Sequence, residues 1–372
     1  MNVLQRLEQL GQSIWYDNIS RSLIHSGELE RMVKEGLLGV TSNPTIFDKA
    51  ITGSTDYDTQ IRELLRTMPP PGIPELIQAL MATDIQTATD VLRPVYDRTR
   101  GRDGYVSIEV TPTKAHDTPA TIEEARLLWK RIGRPNLMVK IPATREGLPA
   151  IEQTLAEGIN INVTLIFSVA RYRDVADAYL RGMERRVDAG QPLAGVASVA
   201  SVFVSRVDTL VDDLLRKKAG ADAERFQALM GKAAVANSKM VYAAFREAFS
   251  GERWERLRNR GAAVQRPLWG STSTKNPAYR DLIYVDPLIG RDTVNTVPPA
   301  TYAAILDHGT PALTVEADLP GARKTLADLA AAGIDMDRVM KKLEEDGVAA
   351  FEKSFDGLAK NLEQKKGEFQ SA

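Results

Sequence analysis

A single lysine interrupts an apolar, strand-like run that a proline closes, LMVKIPAT at 137–144. Lys140 has no carboxylate close to it in sequence, so any counter-charge must come from another element. Two interpretations fit a buried lysine. It can belong to a structural ion-pair cluster, because charges are rarely buried unpaired. Alternatively, it can act as an amine nucleophile toward a carbonyl, because desolvation disfavours the charged ammonium form.

The second interpretation also requires carboxylates. An imine on a lysine serves as an electron sink for breaking an adjacent carbon–carbon bond. This chemistry needs a base for a hydroxyl proton and an acid–base pair to expel water. Asp17 in SIWYDNI and Glu109 in YVSIEV are the candidate groups. We expect both to face Lys140 from neighbouring strands under either interpretation.

The bulk composition narrows the classes of function. Lys plus Arg total 48 against 49 Asp plus Glu in 372 residues, a balance that favours neither nucleic acid nor anionic membranes as partners. Cysteine is absent, which excludes disulfides and thiolate chemistry. His25, His116 and His308 are far apart, and the chemistry above needs no cofactor, so we expect neither a metal nor a cofactor. The N-terminal MNVLQRLEQLGQ lacks the apolar core of a secretory signal, which predicts a cytoplasmic protein.

Short β-branched runs alternate with longer stretches of helical periodicity, which is typical of a parallel α/β sheet or barrel. The predicted strands are SIWYDNI (13–19), LGVTSN (38–43), YVSIEV (105–110), NLMVKIP (136–142), INVTLIFS (161–168), VASVFV (199–204), QRPLWGS (265–271) and TVNTVP (293–298). Helices are predicted over 26–38, 74–97 and 117–133, the last with Thr121 as its N-cap, and a Pro-rich connector over 67–74. After residue 317 the pattern is helical only.

Side chains alternate across a strand, so the polar residues can be sorted by face. One face carries Thr41, Asn43, Ser107, Glu109, Asn162, Thr164 and Ser168; the opposite faces carry Val106, Ile108, Val110, Val163, Leu165 and Phe167. This division suits a barrel whose polar set points into the lumen toward the C-terminal mouth. We therefore predict an α/β fold, a (β/α)8 TIM barrel with additional helices. A single domain would span 1–372, with 318–372 as a helical C-terminal extension packed on the barrel.

Four motifs follow in order, one in each of four predicted strands: GVTSNPTIF, SIEVTP, NLMVKIPAT and INVTLIFS. In these motifs the chain resembles the transaldolase family, Schiff-base (β/α)8 enzymes of the pentose phosphate pathway. The resemblance covers most of residues 13–310. It implies that Lys140 forms the Schiff base with a ketose donor. It also implies that Asp17 accepts and returns the hydroxyl proton when the dihydroxyacetone unit is cleaved and re-added.

The same resemblance implies roles for other polar residues of the strands. Glu109, with Thr164 holding a water, would shuttle protons during imine formation and hydrolysis. Asn43 and Asn162 would hydrogen-bond the hydroxyls of the donor, with Thr41 supporting them nearby. The implied reaction moves dihydroxyacetone from sedoheptulose 7-phosphate to glyceraldehyde 3-phosphate, giving erythrose 4-phosphate and fructose 6-phosphate.

Substrate phosphate in the family is held by loops after the sixth and seventh strands, where barrels commonly bind phosphate. By resemblance, SVFVSR offers Arg206, and GSTSTKN offers Lys275 with a hydroxyl from Thr272 or Ser273. Lys275 stands where many members have arginine, which keeps the charge but loses the bidentate fork. Thr111 stands where aspartate is common.

Ser201 and Phe203 match further pocket positions of the family. Two alternatives to a transaldolase stay open. A related fructose-6-phosphate aldolase would be shorter and, by resemblance, would replace the glutamate and the phenylalanine, so Glu109 and Phe203 favour the transferase. A catalytically silent binding barrel would be expected to lack Lys140 or Asp17, and both are present. We expect sugar-phosphate substrates and a monomer or homodimer.

Overall fold

The computed structural model describes residues 1–218 and 223–371, the last two of these by their backbone alone. Eight strands form a closed parallel barrel in the order β1 to β8, which confirms the predicted (β/α)8 architecture. The strands are β1 (Gln12–Tyr16), β2 (Gly39–Val40), β3 (Tyr105–Glu109), β4 (Leu137–Pro142), β5 (Ile161–Ile166), β6 (Ser198–Phe203), β7 (Arg266–Gly270) and β8 (Thr293–Val297). All eight predicted strands are present, with ends that differ by a few residues.

Sixteen α-helices occur within the described ranges, and none of them is both long and apolar enough to cross a bilayer. They are α1 (Val3–Leu10), α2 (Arg21–His25), α3 (Glu28–Glu35), α4 (Pro44–Thr52), α5 (Asp58–Leu65), α6 (Ile73–Arg98), α7 (Thr118–Ile132), α8 (Gly147–Ala156), α9 (Val169–Asp188), α10 (Ser205–Lys218), α11 (Ala223–Gln227), α12 (Ala233–Ala248), α13 (Gly251–Arg258), α14 (Pro299–His308), α15 (Leu319–Ala331) and α16 (Met336–Ser371). The predicted Pro-rich connector joins α5 to α6.

Strand β2 is much shorter than the predicted 38–43 because a helix begins directly after it. Asn43 accepts a hydrogen bond from the Ile46 N–H at 3.0 Å, and Pro44 occupies the first helical position, where a missing N–H costs nothing. Gly39 is required in this strand, since a Cβ there would lie 2.5 Å from Trp15 Cδ2. The chain therefore turns from strand to helix at the barrel mouth within three residues.

The predicted cap of α7 is wrong. Asp117 accepts from the Ala120 N–H at 2.9 Å and caps the helix, while the Thr121 hydroxyl donates to the Lys114 carbonyl at 2.8 Å. Pro119 lies in the first turn, where its missing N–H is tolerated, so the helix begins before Thr121.

The alternation predicted for 161–168 fails after Thr164. Leu165 has a φ of 60°, and the register between β5 and β6 shifts between Val163 and Ile166, which is a β-bulge. Ser168 therefore does not continue the lumen face; its hydroxyl accepts from the Arg171 N–H and caps α9. A bulge of this kind moves each following side chain to the other face, which pattern alone does not reveal.

The N-terminal end of the lumen is filled by a buried ion pair and an aromatic ring. Arg266 Nη2 lies 3.0 Å from Asp103 Oδ1, and the Trp15 indole N–H donates to the same oxygen at 3.0 Å. Ser13 donates to Asp103 Oδ2 at 2.8 Å. Asp103 lies in GRDG, which forms a turn with Gly104 at φ 85°. The lumen is therefore closed at this end.

The chain beyond residue 317 forms α15 and α16, as the pattern predicts. Helix α16 packs against α4, α6 and α10, which flank the C-terminal mouth. Thr45 and Ser354 share a hydrogen bond of 2.7 Å, and Lys365 pairs with Asp58 at 2.5 Å. The helical extension thus lies across the end of the barrel where the polar side chains emerge.

Candidate active site

A cavity of about 570 Å³ opens at the C-terminal mouth of the barrel. Of the residues predicted from sequence, those that line it are Asp17, Thr41, Asn43, Lys140, Ser201, Phe203, Arg206, Ser273 and Lys275. A concave site of this size with convergent polar groups is what a small substrate requires. The remaining three predicted residues, Glu109, Asn162 and Thr164, are buried and do not line the cavity.

Lys140 lies at the boundary between the cavity and the barrel core. It is 4% exposed, and its position on β4 pairs with Glu109 of β3 and Asn162 of β5. The ammonium group donates to the Ser42 carbonyl at 3.0 Å and lies 3.5 Å from Glu109 Oε2. The amine therefore combines burial, two polar neighbours and access to a cavity.

Glu109 is a buried carboxyl group with unused hydrogen-bonding capacity. Burial raises its pKa, against the opposing effect of Lys140, and nearby Asp17 raises it further. Neither carboxyl oxygen has a hydrogen-bond partner, and the buried Thr164 hydroxyl has none either. Buried polar groups are ordinarily satisfied, so these atoms are suited to a small polar guest such as water.

Asp17 follows β1, and its carboxyl group lines the cavity. Its Oδ1 accepts from the Thr41 hydroxyl at 2.7 Å. Burial raises its pKa, while Lys140, Thr41 and Lys275 act in the opposite direction. The site thus holds two carboxyl groups in distinct hydrogen-bonding environments beside one lysine.

Two asparagines contribute amide groups to the site. Asn162 donates to the Ser107 hydroxyl at 3.0 Å and accepts from the Ser201 hydroxyl at 2.6 Å, which fixes its orientation. The side-chain oxygen of Asn43 is used in the cap of α4, so its amide nitrogen is the group that it can offer a ligand. Both residues are therefore held in place by the barrel.

Two cations line the part of the cavity next to the loops after β6 and β7. Arg206 places its guanidinium carbon 5.3 Å from the centre of the Phe203 ring. Partial burial lowers the pKa of Lys275, and the nearby charge of Arg206 lowers it further. Two cations that raise each other's electrostatic energy form a good anion site.

The open choice between two hydroxyls in the β7 loop is decided by their contacts. Ser273 lines the cavity, with its Oγ 2.7 Å from Lys275 Nζ. Thr272 is fully buried and donates to Asn295 Oδ1 at 3.1 Å. Ser273 is therefore the hydroxyl placed to meet an anion.

Thr111, which departs from the residue common in the resembled family, binds a neighbouring helix. Its hydroxyl and its N–H donate to the two oxygens of Glu124 at 2.7 and 3.0 Å. Glu124 also pairs with Lys114 at 3.2 Å. Thr111 thus ties the loop after β3 to α7.

The cavity residues that the sequence analysis missed include Lys49, Thr296 and Phe351. In β8 the polar residues Thr293 and Asn295 share the parity opposite to that of Thr296, so strand alternation alone would not have placed Thr296 on the lumen face. Lys49 lies on α4 soon after the GVTSNPTIF motif, but a lone lysine on a helix carries no local signal. Phe351 belongs to α16, whose position depends on long-range packing.

Comparison with known sequences identifies the family of the chain. The sequence model of the family described as "Transaldolase/Fructose-6-phosphate aldolase" matches residues 14–362. The chain belongs to this family. It is therefore an enzyme of a family that includes transaldolases, which are transferases, and this confirms the family resemblance seen in the four motifs.

Close relatives share the full length of the chain. A transaldolase of Acidothermus cellulolyticus is 51% identical over 359 residues, which cover 96% of this chain and 95% of the relative. Transaldolase 2 of Nostoc punctiforme is 47% identical over 375 residues, covering 98% and 97%. Among solved structures, a 2,3-dimethylmalate lyase covers 91% of this chain and 94% of its own at 11% identity and a TM-score of 0.25, too low to bear on fold or function.

Proposed function

We propose that the protein is a transaldolase that moves a dihydroxyacetone unit from sedoheptulose 7-phosphate to glyceraldehyde 3-phosphate through a Schiff base on Lys140. One observation carries the proposal: Lys140 is buried at a cavity wall between two carboxyl groups whose pKa values burial raises. A buried amine nucleophile with separate acid and base groups is the set that imine chemistry requires.

Imine formation begins with attack of Lys140 Nζ on the ketose carbonyl. The resulting carbinolamine must lose water, and Glu109 lies 3.5 Å from the nitrogen, close enough to deliver the proton. Burial raises the pKa of Glu109 and so favours its neutral form, while Lys140 acts in the opposite direction. A water between the unpartnered Glu109 oxygens and the Thr164 hydroxyl would carry the proton in the proposed path.

Cleavage follows from the imine. Asp17 takes the proton of the hydroxyl one bond beyond the scissile bond, the carbon–carbon bond breaks, and its electrons move into the imine to give an enamine. The aldehyde product, erythrose 4-phosphate, leaves. The enamine then attacks glyceraldehyde 3-phosphate, Asp17 returns its proton, and hydrolysis releases fructose 6-phosphate.

The remaining residues orient the sugar in this proposal. Arg206, Lys275 and Ser273 hold the phosphate, and Asn43 bonds a donor hydroxyl from the cavity wall. The buried Asn162 acts on the donor through Ser201, from which it accepts a hydrogen bond. Thr41, Ser201 and Phe203 complete the walls. Phosphate monoesters carry about two charges near neutral pH, which matches a site with two cations.

The cellular setting belongs to the same proposal. We place the reaction in the non-oxidative pentose phosphate pathway, whose sugar phosphates are the substrates named above, and in the cytoplasm. The expectations of a single domain, a monomer or homodimer, and no cofactor stay predictions.

Trapping with borohydride tests the proposal. Fructose 6-phosphate plus borohydride should add a stable mass to Lys140 and abolish activity, because reduction converts the imine into an inert secondary amine. Peptide mass spectrometry locates the adduct. Lys140→Ala should lose both adduct and turnover, whereas Lys324→Ala, at an exposed position on α15, should keep both. An adduct on another residue would exclude the mechanism.

A turnover assay without borohydride separates transfer from simple cleavage. Turnover of fructose 6-phosphate should require an aldehyde acceptor such as erythrose 4-phosphate. Rapid release of free dihydroxyacetone without an acceptor would instead identify a fructose-6-phosphate aldolase. Absence of any adduct with catalytically competent substrate would leave only the binding-protein alternative.

A further inference from the structure

Thr296 of β8 is a cavity residue outside the predicted site. It is 5% exposed, and its strand position pairs with Trp15 of β1, where the barrel closes. Its hydroxyl lies 2.5 Å from the Thr41 hydroxyl. Thr41 in turn donates to Asp17 Oδ1 at 2.7 Å, so three side chains from three strand ends form one chain of hydrogen bonds.

The direction of this chain is fixed by the charge on Asp17. An ionised carboxylate only accepts, and a threonine hydroxyl has a single hydrogen to give. When Thr41 donates to Asp17, its oxygen must therefore accept from Thr296. Consecutive hydrogen bonds polarise one another, so the Thr296 hydroxyl strengthens the bond that Thr41 makes to the carboxylate.

The chain persists when Asp17 gains a proton. The substrate proton arrives on Oδ2, so Oδ1 goes on accepting from Thr41 while Thr41 accepts from Thr296. The carboxyl group thus stays in one orientation while it gains and loses a proton.

We propose that Thr296 is a positioning residue that acts through Thr41 to hold the Asp17 carboxyl group in its proton-transfer orientation. The inference rests on the proposed function of Asp17 and extends it to a residue on another strand. With Oδ1 engaged by Thr41, Oδ2 is the oxygen that meets the substrate hydroxyl. Thr296 itself exchanges no proton with the substrate.

Two substitutions at this position provide the test. Thr296→Val keeps the shape and removes the hydroxyl, whereas Thr296→Ser keeps the hydroxyl. We expect the valine variant to lose roughly tenfold in kcat for dihydroxyacetone transfer, the effect of one lost hydrogen bond. The acidic limb of its kcat/KM profile should move to higher pH, because the ionised carboxylate loses support. The serine variant should restore both values.

Controls separate positioning from general damage. Thr293→Val removes another buried hydroxyl of β8, one that donates to the Gly290 carbonyl, and should leave kcat and the pH profile unchanged. Borohydride trapping on Lys140 should proceed at the wild-type rate in Thr296→Val, because imine formation does not use Asp17. Should the valine variant melt below the assay temperature, Thr296→Ala gives the same comparison.

The positioning role is overturned if Thr296→Val keeps its kcat and pH profile, or if Thr296→Ser is as impaired as the valine variant. Loss of trapping together with loss of transfer would also overturn it, since damage would then reach Lys140. Failure of the wild-type protein to form any adduct overturns the proposed function instead. The two hypotheses therefore fail by different observations.

Discussion

Two carboxyl groups lie near Lys140, Asp17 in the cavity wall and Glu109 buried behind it, and we propose different tasks for them. Glu109 is buried, and burial raises its pKa while Lys140, 3.5 Å from Oε2, opposes that rise. Asp17 accepts a hydrogen bond from Thr41, which stabilises its charged form. Burial raises the pKa of both groups, and the hydrogen bond from Thr41 favours the charged form of Asp17, so we propose Glu109 as the acid and Asp17 as the base.

Substitution of each carboxyl group should stop the reaction at a different step. Glu109→Gln should slow trapping of fructose 6-phosphate on Lys140 by roughly 100-fold, because one general acid–base group typically accelerates a step by about that factor. Asp17→Asn should instead trap normally but transfer almost nothing, because cleavage lacks its base. Quenched-flow trapping followed by mass spectrometry measures the first step alone.

The exposed Glu123 of α7 provides a matched control, and Glu123→Gln should behave as wild type. Equal losses in trapping and transfer for both carboxyl variants would contradict the division of tasks.

At the scale of elements, strand alternation predicts most of the site, because lumen-facing parity is a local property. It correctly groups Glu109 with Asn162, whose strands flank Lys140. It fails at Leu165, where a bulge with positive φ depends on how β5 meets β6. Strand alternation cannot predict that α16 reaches the cavity, because the position of this C-terminal helix depends on its packing against the folded barrel.

Helix α16 supplies Phe351 to the cavity wall, next to the proposed phosphate site. The Phe351 ring meets the Phe203 ring edge to face with centres 6.4 Å apart, and Phe203 lies against Arg206. Phe351→Ala should raise KM for phosphorylated donors roughly tenfold with a smaller change in kcat. Removing this ring from the cavity wall should cost about 1–2 kcal/mol of substrate-binding free energy. Steady-state kinetics with fructose 6-phosphate measures this.

Leu362→Ala is the control on the same helix. Leu362 is buried and does not line the cavity, so its loss should lower the melting temperature and leave KM unchanged. An equal rise in KM for both variants would mean that α16 acts only through stability.

At the scale of the whole molecule, a buried carboxyl group joins three segments around the β7 loop. Asp208 of α10 accepts from the Ala234 N–H of α12 at 2.7 Å and from the Tyr284 hydroxyl at 2.9 Å. Burial raises the pKa of Asp208 to about 6, with neighbouring Asp212 adding to the effect. The group is thus protonated in the native protein at pH values where the unfolded chain has already lost the proton.

The contribution of Asp208 to the free energy of unfolding should therefore fall by about 3 kcal/mol as pH rises from about 4 to 6. Asp208→Asn keeps an acceptor for Ala234 and removes the charge. Relative to wild type, the variant should gain unfolding free energy as pH rises across that window. Urea unfolding at several pH values measures the difference. A constant difference between pH 4 and 7 would contradict the expectation.

Trp15, Asp103 and Arg266 fill the N-terminal end of the lumen. This bears on the order in which the two aldehydes of the proposed reaction bind and leave. With that end filled by these side chains, we expect substrates and products of the proposed reaction to pass through the C-terminal mouth. The first aldehyde must vacate the channel before the second can reach the bound three-carbon fragment. Because the first aldehyde leaves before the second one binds, we expect a double-displacement mechanism in which the two aldehydes never occupy the enzyme together.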